Sequence, residues 1–161
     1  MEPRLNYAKL APEPIKGLFA IGKYLADCGL EPSLVELVKV RGSQLNGCAF
    51  CLDMHTQDAR SHGETEQRLY ALTAWRETPF FSDRERAALA WTEAVTRIAE
   101  GVPDAVYEEA RAQFSEKELA DLTWAAVAIN AWNRLAITFR VPPGTYKPQM
   151  IAAMEKQLAG A

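Results

Sequence analysis

Apolar residues recur at three- and four-residue spacing along almost the whole chain, with Gly and Pro as punctuation, while strand-like alternation and hairpin dipeptides are scarce. That periodicity restricts the chain to an all-α bundle, with about seven to eight helices. Pro14 to Cys28 reads as a first helix that stops before Gly29. Ser33, with Glu36 three residues on, has the form of a capping box for a second helix that runs to about Leu45. Asn46-Gly47 is the turn, and Asn46 is placed to cap a third helix from about Cys48 to Ser61, stopped by His62-Gly63. Thr65–Glu77 follows, with Leu69, Leu72 and Trp75 on one side, and Ser82 with Glu85 caps a fifth helix reaching Glu100-Gly101. Pro103–Phe114 is a shorter sixth. Ser115 and Glu118 open a long, largely apolar helix to about Phe139, broken by Pro142-Pro143-Gly144, and Tyr146–Leu158 has the pattern of a terminal helix.

The length of 161 residues suits one domain, residues 1–161, with its own core. A net charge of −3 with both signs interspersed offers no basic stripe for nucleic acid. No run is apolar enough to span a bilayer and the first residues lack a signal-like apolar core, so a cytoplasmic protein without a membrane partner is expected. Three cysteines do not make a secreted disulfide framework, and C-x-x-C in a reducing compartment points to catalysis or metal.

The chemistry concentrates at residues 33–62. Cys48, Cys51 and His55 stand at i, i+3 and i+7, so they line one face of a helix. The helix dipole favours a thiolate at Cys48, in the first turn, whereas the imidazole lies nearer Cys51 and favours that thiol. Spacing leaves the choice open. Glu36 lies ten residues before the Asn46-Gly47 turn and His55 about nine after it, so a helical hairpin brings them level. A carboxylate there would fix the tautomer of His55 and raise its basicity. Glu36 also fits the capping box with Ser33, and the two roles compete.

Asp58 is a second carboxylate on the histidine's face and could orient it instead of Glu36, but a solvated helix charge is the favoured reading. Cys28 reads as a buried helix-end thiol, and Trp124, Trp132 and Phe139 as core. Asn130, Asn133 and Arg134 interrupt the apolar helix and need partners, at an interface or in the wall of the thiol pocket. Zinc would draw on Cys48, Cys51, His55 and His62, but four ligands strung over four turns of one helix cannot converge on one ion. The reading therefore calls for no metal and no cofactor.

Glu36, Cys48, Cys51 and His55 reproduce the spacing E-x11-C-x-x-C-x3-H, and the chain resembles the alkylhydroperoxidase AhpD-like branch of the carboxymuconolactone decarboxylase superfamily. The segment Ala128–Ala136 with Phe139-Arg140 extends the resemblance, which covers about Pro14 to Pro143. It implies an all-helical subunit in a trimer or hexamer and a thiol site that reduces hydroperoxides. Cys51 would be the peroxidatic thiol, deprotonated by Glu36 through a water and His55, with Cys48 resolving, and a dithiol protein or small thiol would be the reductant. The best-known peroxidases carry a histidine just before the second cysteine, where this chain has Phe50. A disulfide reductase, a redox sensor or a lactone decarboxylase on the same scaffold are the alternatives.

Overall fold

A computed structural model describes residues 2–147 of the chain. It has eight α-helices and, among the described residues, no strand. A short α1 (Tyr7–Leu10) leads into α2 (Pro12–Asp27), α3 (Pro32–Asn46) and α4 (Ala49–Ser61). Then come α5 (Glu66–Ala71), α6 (Asp83–Thr96), α7 (Asp104–Gln113) and α8 (Glu116–Phe139), with 3₁₀ turns at Leu72–Glu77 and Ile98–Glu100. The expected terminal helix lies outside the described residues from position 148 onward, and Tyr146 and Lys147 are not helical.

The helix α3 is the centre of the bundle, packed against α4, α6 and α8. Nine of its residues from Leu34 to Ser43 are buried, including Glu36 and Arg41, so it is enclosed on all sides rather than amphipathic. One core, around Val38, Ala88, Leu122, Ala125 and Phe114, joins α3 to α6, α7 and α8. A second, around Leu37, Ala59, Leu72, Trp75 and Leu89, joins α3 to α4, α5 and α6. Gly42 permits the approach of α8, because a Cβ there would sit 3.0 Å from Ile129 Cγ2.

Several boundaries depart from the pattern reading. The second of the expected helices starts at Pro32, not Ser33; proline at the first helical position needs no N–H partner, and the N-cap Glu31 makes no side-chain cap bond. Ser33 is thus inside the helix and the Ser33–Glu36 capping box does not form. Asn46 closes α3 instead of capping α4, followed by Gly47 in the left-handed conformation at φ 71°. Thr65–Glu77 is α-helical only to Ala71, with Ala74 at non-helical φ/ψ inside the 3₁₀ turn, and the fifth expected helix ends at Thr96. The Ser82–Glu85 and Ser115–Glu118 capping boxes are both complete. Trp124, expected in the core, is 49 % exposed, because it stands on the outer face of α8.

Candidate functional site

The turn between α3 and α4 is held by amides. Asn46 Nδ2 donates to Oδ1 of Asn130 (2.9 Å) and of Asn133 (2.8 Å). Asn133 in turn donates to Ser43 Oγ (3.1 Å), and Asn130 to Thr96 Oγ1 (3.0 Å) and the Ala126 carbonyl (2.8 Å). Asn133 is fully buried with both its Oδ1 and its Nδ2 partnered, and the network locks the end of α3 to α8. These polar residues therefore fix the turn that presents Cys48. Arg134 lies exposed and donates back to the carbonyl and side chain of Asn130.

Cys48 follows Gly47 as the N-cap of α4, one residue before the helix rather than in its first turn. Its Sγ accepts the Cys51 N–H at 3.3 Å, so the sulfur takes the place that an N-cap oxygen usually fills. Cys48 and Cys51 are joined as a disulfide, with Cα atoms 5.4 Å apart. Both are 1 % exposed, against Ile129 and Ala136 of α8, with Phe50 and Val141 packed on the same cluster.

One turn beyond Cys51, His55 is buried, and its Nδ1 lies 2.9 Å from Glu36 Oε2. The hairpin of α3 and α4 thus brings into contact residues 19 apart in sequence. Lys39 Nζ, one turn along α3, donates to the other oxygen, Glu36 Oε1, at 2.6 Å. Burial pushes the Glu36 carboxyl up, but the His55 hydrogen bond and charge together with Lys39 overcome it and hold the group at about 2. An ionised carboxylate at Oε2 selects the tautomer with the proton on Nδ1, leaving Nε2 as the basic nitrogen.

The sign of the acid response follows. A carboxyl held below its ordinary value of 4.5 stabilises the fold fully above that value, and the contribution is lost as pH falls from about 4.5 toward about 2. Glu36→Gln is expected to start from lower stability at neutral pH and to show a shallower loss across this window. Urea midpoints measured from pH 7 to pH 2.5 check it, and parallel curves for the two proteins would contradict it.

Asp58 lies beside this pair: its Oδ2 is 3.9 Å from His55 Nδ1, too far for a hydrogen bond, and its Oδ1 accepts from Tyr146 Oη at 2.8 Å. Glu36 rather than Asp58 therefore orients the imidazole. Glu36, His55 and Asp58 each bring a potential ligand atom within 4.8 Å of the others. The Lys39 ammonium and the Tyr146 hydroxyl already occupy two of the carboxylate oxygens, so the donor set is satisfied internally and suits a proton network better than a cation. His62 is exposed at the end of α4 with Nδ1 2.9 Å from the Asp58 carbonyl, and it does not join the cysteines. Cys28 is a half-buried free thiol at the end of α2, bonded to the Leu25 carbonyl.

The Tyr146–Asp58 contact was not foreseeable from local pattern, since 88 residues separate the partners. Lys39 at i+3 from Glu36 was legible as a helix-face ion pair. No helix among the described residues is long and apolar enough to cross a membrane.

Comparison with known proteins sets this geometry in a family. The uncharacterized protein YdfG of Bacillus subtilis (strain 168) is 45 % identical over 138 residues, which cover 85 % of this chain and 94 % of YdfG. The crystal structure of ATU0492 from Agrobacterium tumefaciens, a protein of unknown function associated by name with AhpD antioxidant defence, superposes with a TM-score of 0.86. It is 44 % identical, over 90 % of this chain and all of that one. A peroxidase-related protein with an AhpD core from Ralstonia eutropha JMP134 shares the fold at a TM-score of 0.75 and 20 % identity, over 92 % of this chain and 78 % of its own. Residues 12–94, which contain Glu36, both site cysteines and His55, match the model of the carboxymuconolactone decarboxylase family, and the chain belongs to that family with an AhpD-like fold.

Proposed function

We propose that this protein is a thiol-dependent hydroperoxide reductase that cycles Cys48 and Cys51 between dithiol and disulfide. The observation that carries the reading is the 2.9 Å contact between Glu36 and His55, one turn from a bonded cysteine pair. In the reduced protein the Nε2 of His55, oriented by the Glu36 contact at Nδ1, takes the Cys51 proton directly or through one water. The Cys51 thiolate attacks one peroxide oxygen, the O–O bond breaks, and the alcohol leaves with the proton returned by the imidazolium. Cys51 is then a sulfenic acid. Cys48 attacks that sulfur, the S–S bond forms and water leaves, so two thiols and one hydroperoxide give one disulfide, one alcohol and one water. A dithiol reductant restores the pair by exchange, becoming a disulfide itself. The names carried by ATU0492 and the Ralstonia protein support this reading.

The test is hydroperoxide consumption with a small dithiol as reductant. Wild type should consume one dithiol per peroxide, and Glu36→Gln should slow the reaction by roughly 10²–10⁴-fold, the usual worth of a positioned proton-transfer system. Undiminished turnover in Glu36→Gln would remove the carboxylate from the mechanism. A second reading, disulfide reduction on the same scaffold, is favoured by Phe50, which puts an apolar ring against the pair where the best-known peroxidases carry a histidine. Wild type would then reduce a model disulfide faster than it consumes peroxide. A lactone decarboxylase reaction would persist when both cysteines are replaced by serine.

The proposal includes a trimer or hexamer as the working unit. Trp124, Val127 and Ile137 are large apolar residues exposed along α8 and support it. Sedimentation as a monomer at micromolar concentration would contradict it.

A further inference from the structure

After α8, residues 140–147 stay on the body of the molecule. Arg140 takes a left-handed conformation, φ 56°, which turns the backbone sharply. The end of α8 is braced by Arg4, whose N–H donates to the Phe139 carbonyl at 3.1 Å, and by Tyr7 stacked on Phe139. Residues 141–147 then run back over α4 and touch it at three levels. Val141 packs on the cluster that contains Cys48 and Cys51. The Gly144 N–H donates to Asp53 Oδ2 at 2.8 Å, in a turn that places Gly144 at φ 80°. Tyr146 is buried and its hydroxyl donates to Asp58 Oδ1 at 2.8 Å.

We propose that residues 141–147 are a strap that roofs the Cys48–Cys51 pair and selects by size what reaches the sulfurs, with Tyr146 and Gly144 as its two anchors. The inference rests on the thiol-redox reading of the site and names its access control. Exchange with a dithiol requires an in-line approach to sulfur, and both sulfur-bearing residues are 1 % exposed. α3 and α8 cannot withdraw from them without opening the core, since their contacts with α4 include Glu36, Ile129 and Ala136. Beyond the Val141 N–H bond to the Ala136 carbonyl at its root, the strap is held to α4 by two side-chain hydrogen bonds and by the packing of Val141 and Tyr146, so it is the wall with the least to lose on opening. Local fluctuation of the wall suffices for a small hydroperoxide. A protein dithiol needs the anchors released.

The experiment is alkylation of the reduced, native protein with a small reagent, iodoacetamide, and a bulky one, a maleimide–polyethylene glycol, with the modified cysteine mapped by peptide mass. Tyr146→Phe removes one anchor and keeps the ring. Asp53→Ala removes the other at a half-buried position and guards against a Tyr146→Phe protein that does not fold. Each variant should raise bulky-reagent modification at Cys48 and Cys51 by roughly tenfold, the worth of one hydrogen bond, with a smaller rise for iodoacetamide. Cys28, remote from the strap, is the internal reference and should not change. Unchanged rates at Cys48 and Cys51, or a rise shared equally by Cys28 and by both reagents, would overturn the proposal. Alkylation needs no peroxide turnover, so a protein that shows the size effect but consumes no hydroperoxide would retain the strap and lose the peroxidase reading.

Discussion

Cys51→Ser is expected to abolish hydroperoxide turnover, by at least about 10³-fold, while the protein folds as wild type. The serine hydroxyl is nearly isosteric, but His55 and Glu36 cannot hold it ionised as they can a thiol, and it cannot be oxidised by a hydroperoxide to a stable intermediate. Cys48→Ser should behave differently. Its Cys51 thiolate still attacks the first peroxide, and the reaction stops at a sulfenic acid, a gain of about sixteen mass units, because no second thiol is in reach. Cys28 lies at the end of α2 and is not part of the sulfur cluster. If the two variants exchanged behaviour, with the sulfenic acid at Cys48, the helix-capping position would outweigh the histidine and the order of the two thiols would be reversed. Peroxide consumption and intact mass on both variants decide this.

The largest stability effect is expected far from sulfur, at Glu93. Its carboxylate lies between α3 and α6, where Oε1 accepts from Arg41 Nε (2.8 Å) and Trp75 Nε1 (2.8 Å) and Oε2 from Arg76 (2.7 Å). Arg41 is itself buried and also donates to Gln44. Burial pushes the Glu93 carboxyl up, but these donors and the Arg41 charge bring it below its ordinary value, so it is the charged form that the fold holds. Glu93→Ala leaves a buried guanidinium and an indole N–H without their acceptor, at a cost of roughly 3–5 kcal/mol. For a domain of this size that is a fall in Tm of roughly 10 °C. Replacing Arg41 with Met and Glu93 with Leu together should restore part of it, because the penalty comes from the unpaired charge rather than from the absence of the pair. A fall of less than about 2 °C in Glu93→Ala would show that solvent reaches Arg41.

The parts of this fold that rest on local pattern were readable in advance. The capping boxes at Ser82 and Ser115, the Gly47 stop and the length of α8 depend on residues within one or two turns. The contact of Glu36 with His55 was readable because equal helix arms about a tight turn fix which residues meet. Ser33 misled because its spacing to Glu36 satisfies a capping box equally well; Pro32 had already started the helix, and the carboxylate faced inward to His55. Cys48 fell one residue outside the expected helix because Gly47 left little room for a separate cap. Contacts set by tertiary packing were not legible: the Glu93 cluster joins three elements, and the Tyr146–Asp58 bond depends on the left-handed turn at Arg140, a residue with no bias toward it. The exposure of Trp124 also depends on which face of α8 the other helices cover, and an apolar helix does not declare that face.

The central claim, that Cys48 and Cys51 are a peroxide-driven redox pair, is tested most directly by the intact mass of fully reduced protein given one equivalent of an organic hydroperoxide, followed by peptide mapping. The account predicts rapid loss of about two mass units, localised to a Cys48–Cys51 disulfide, with Cys28 still free. An unchanged mass with all three thiols free would contradict it.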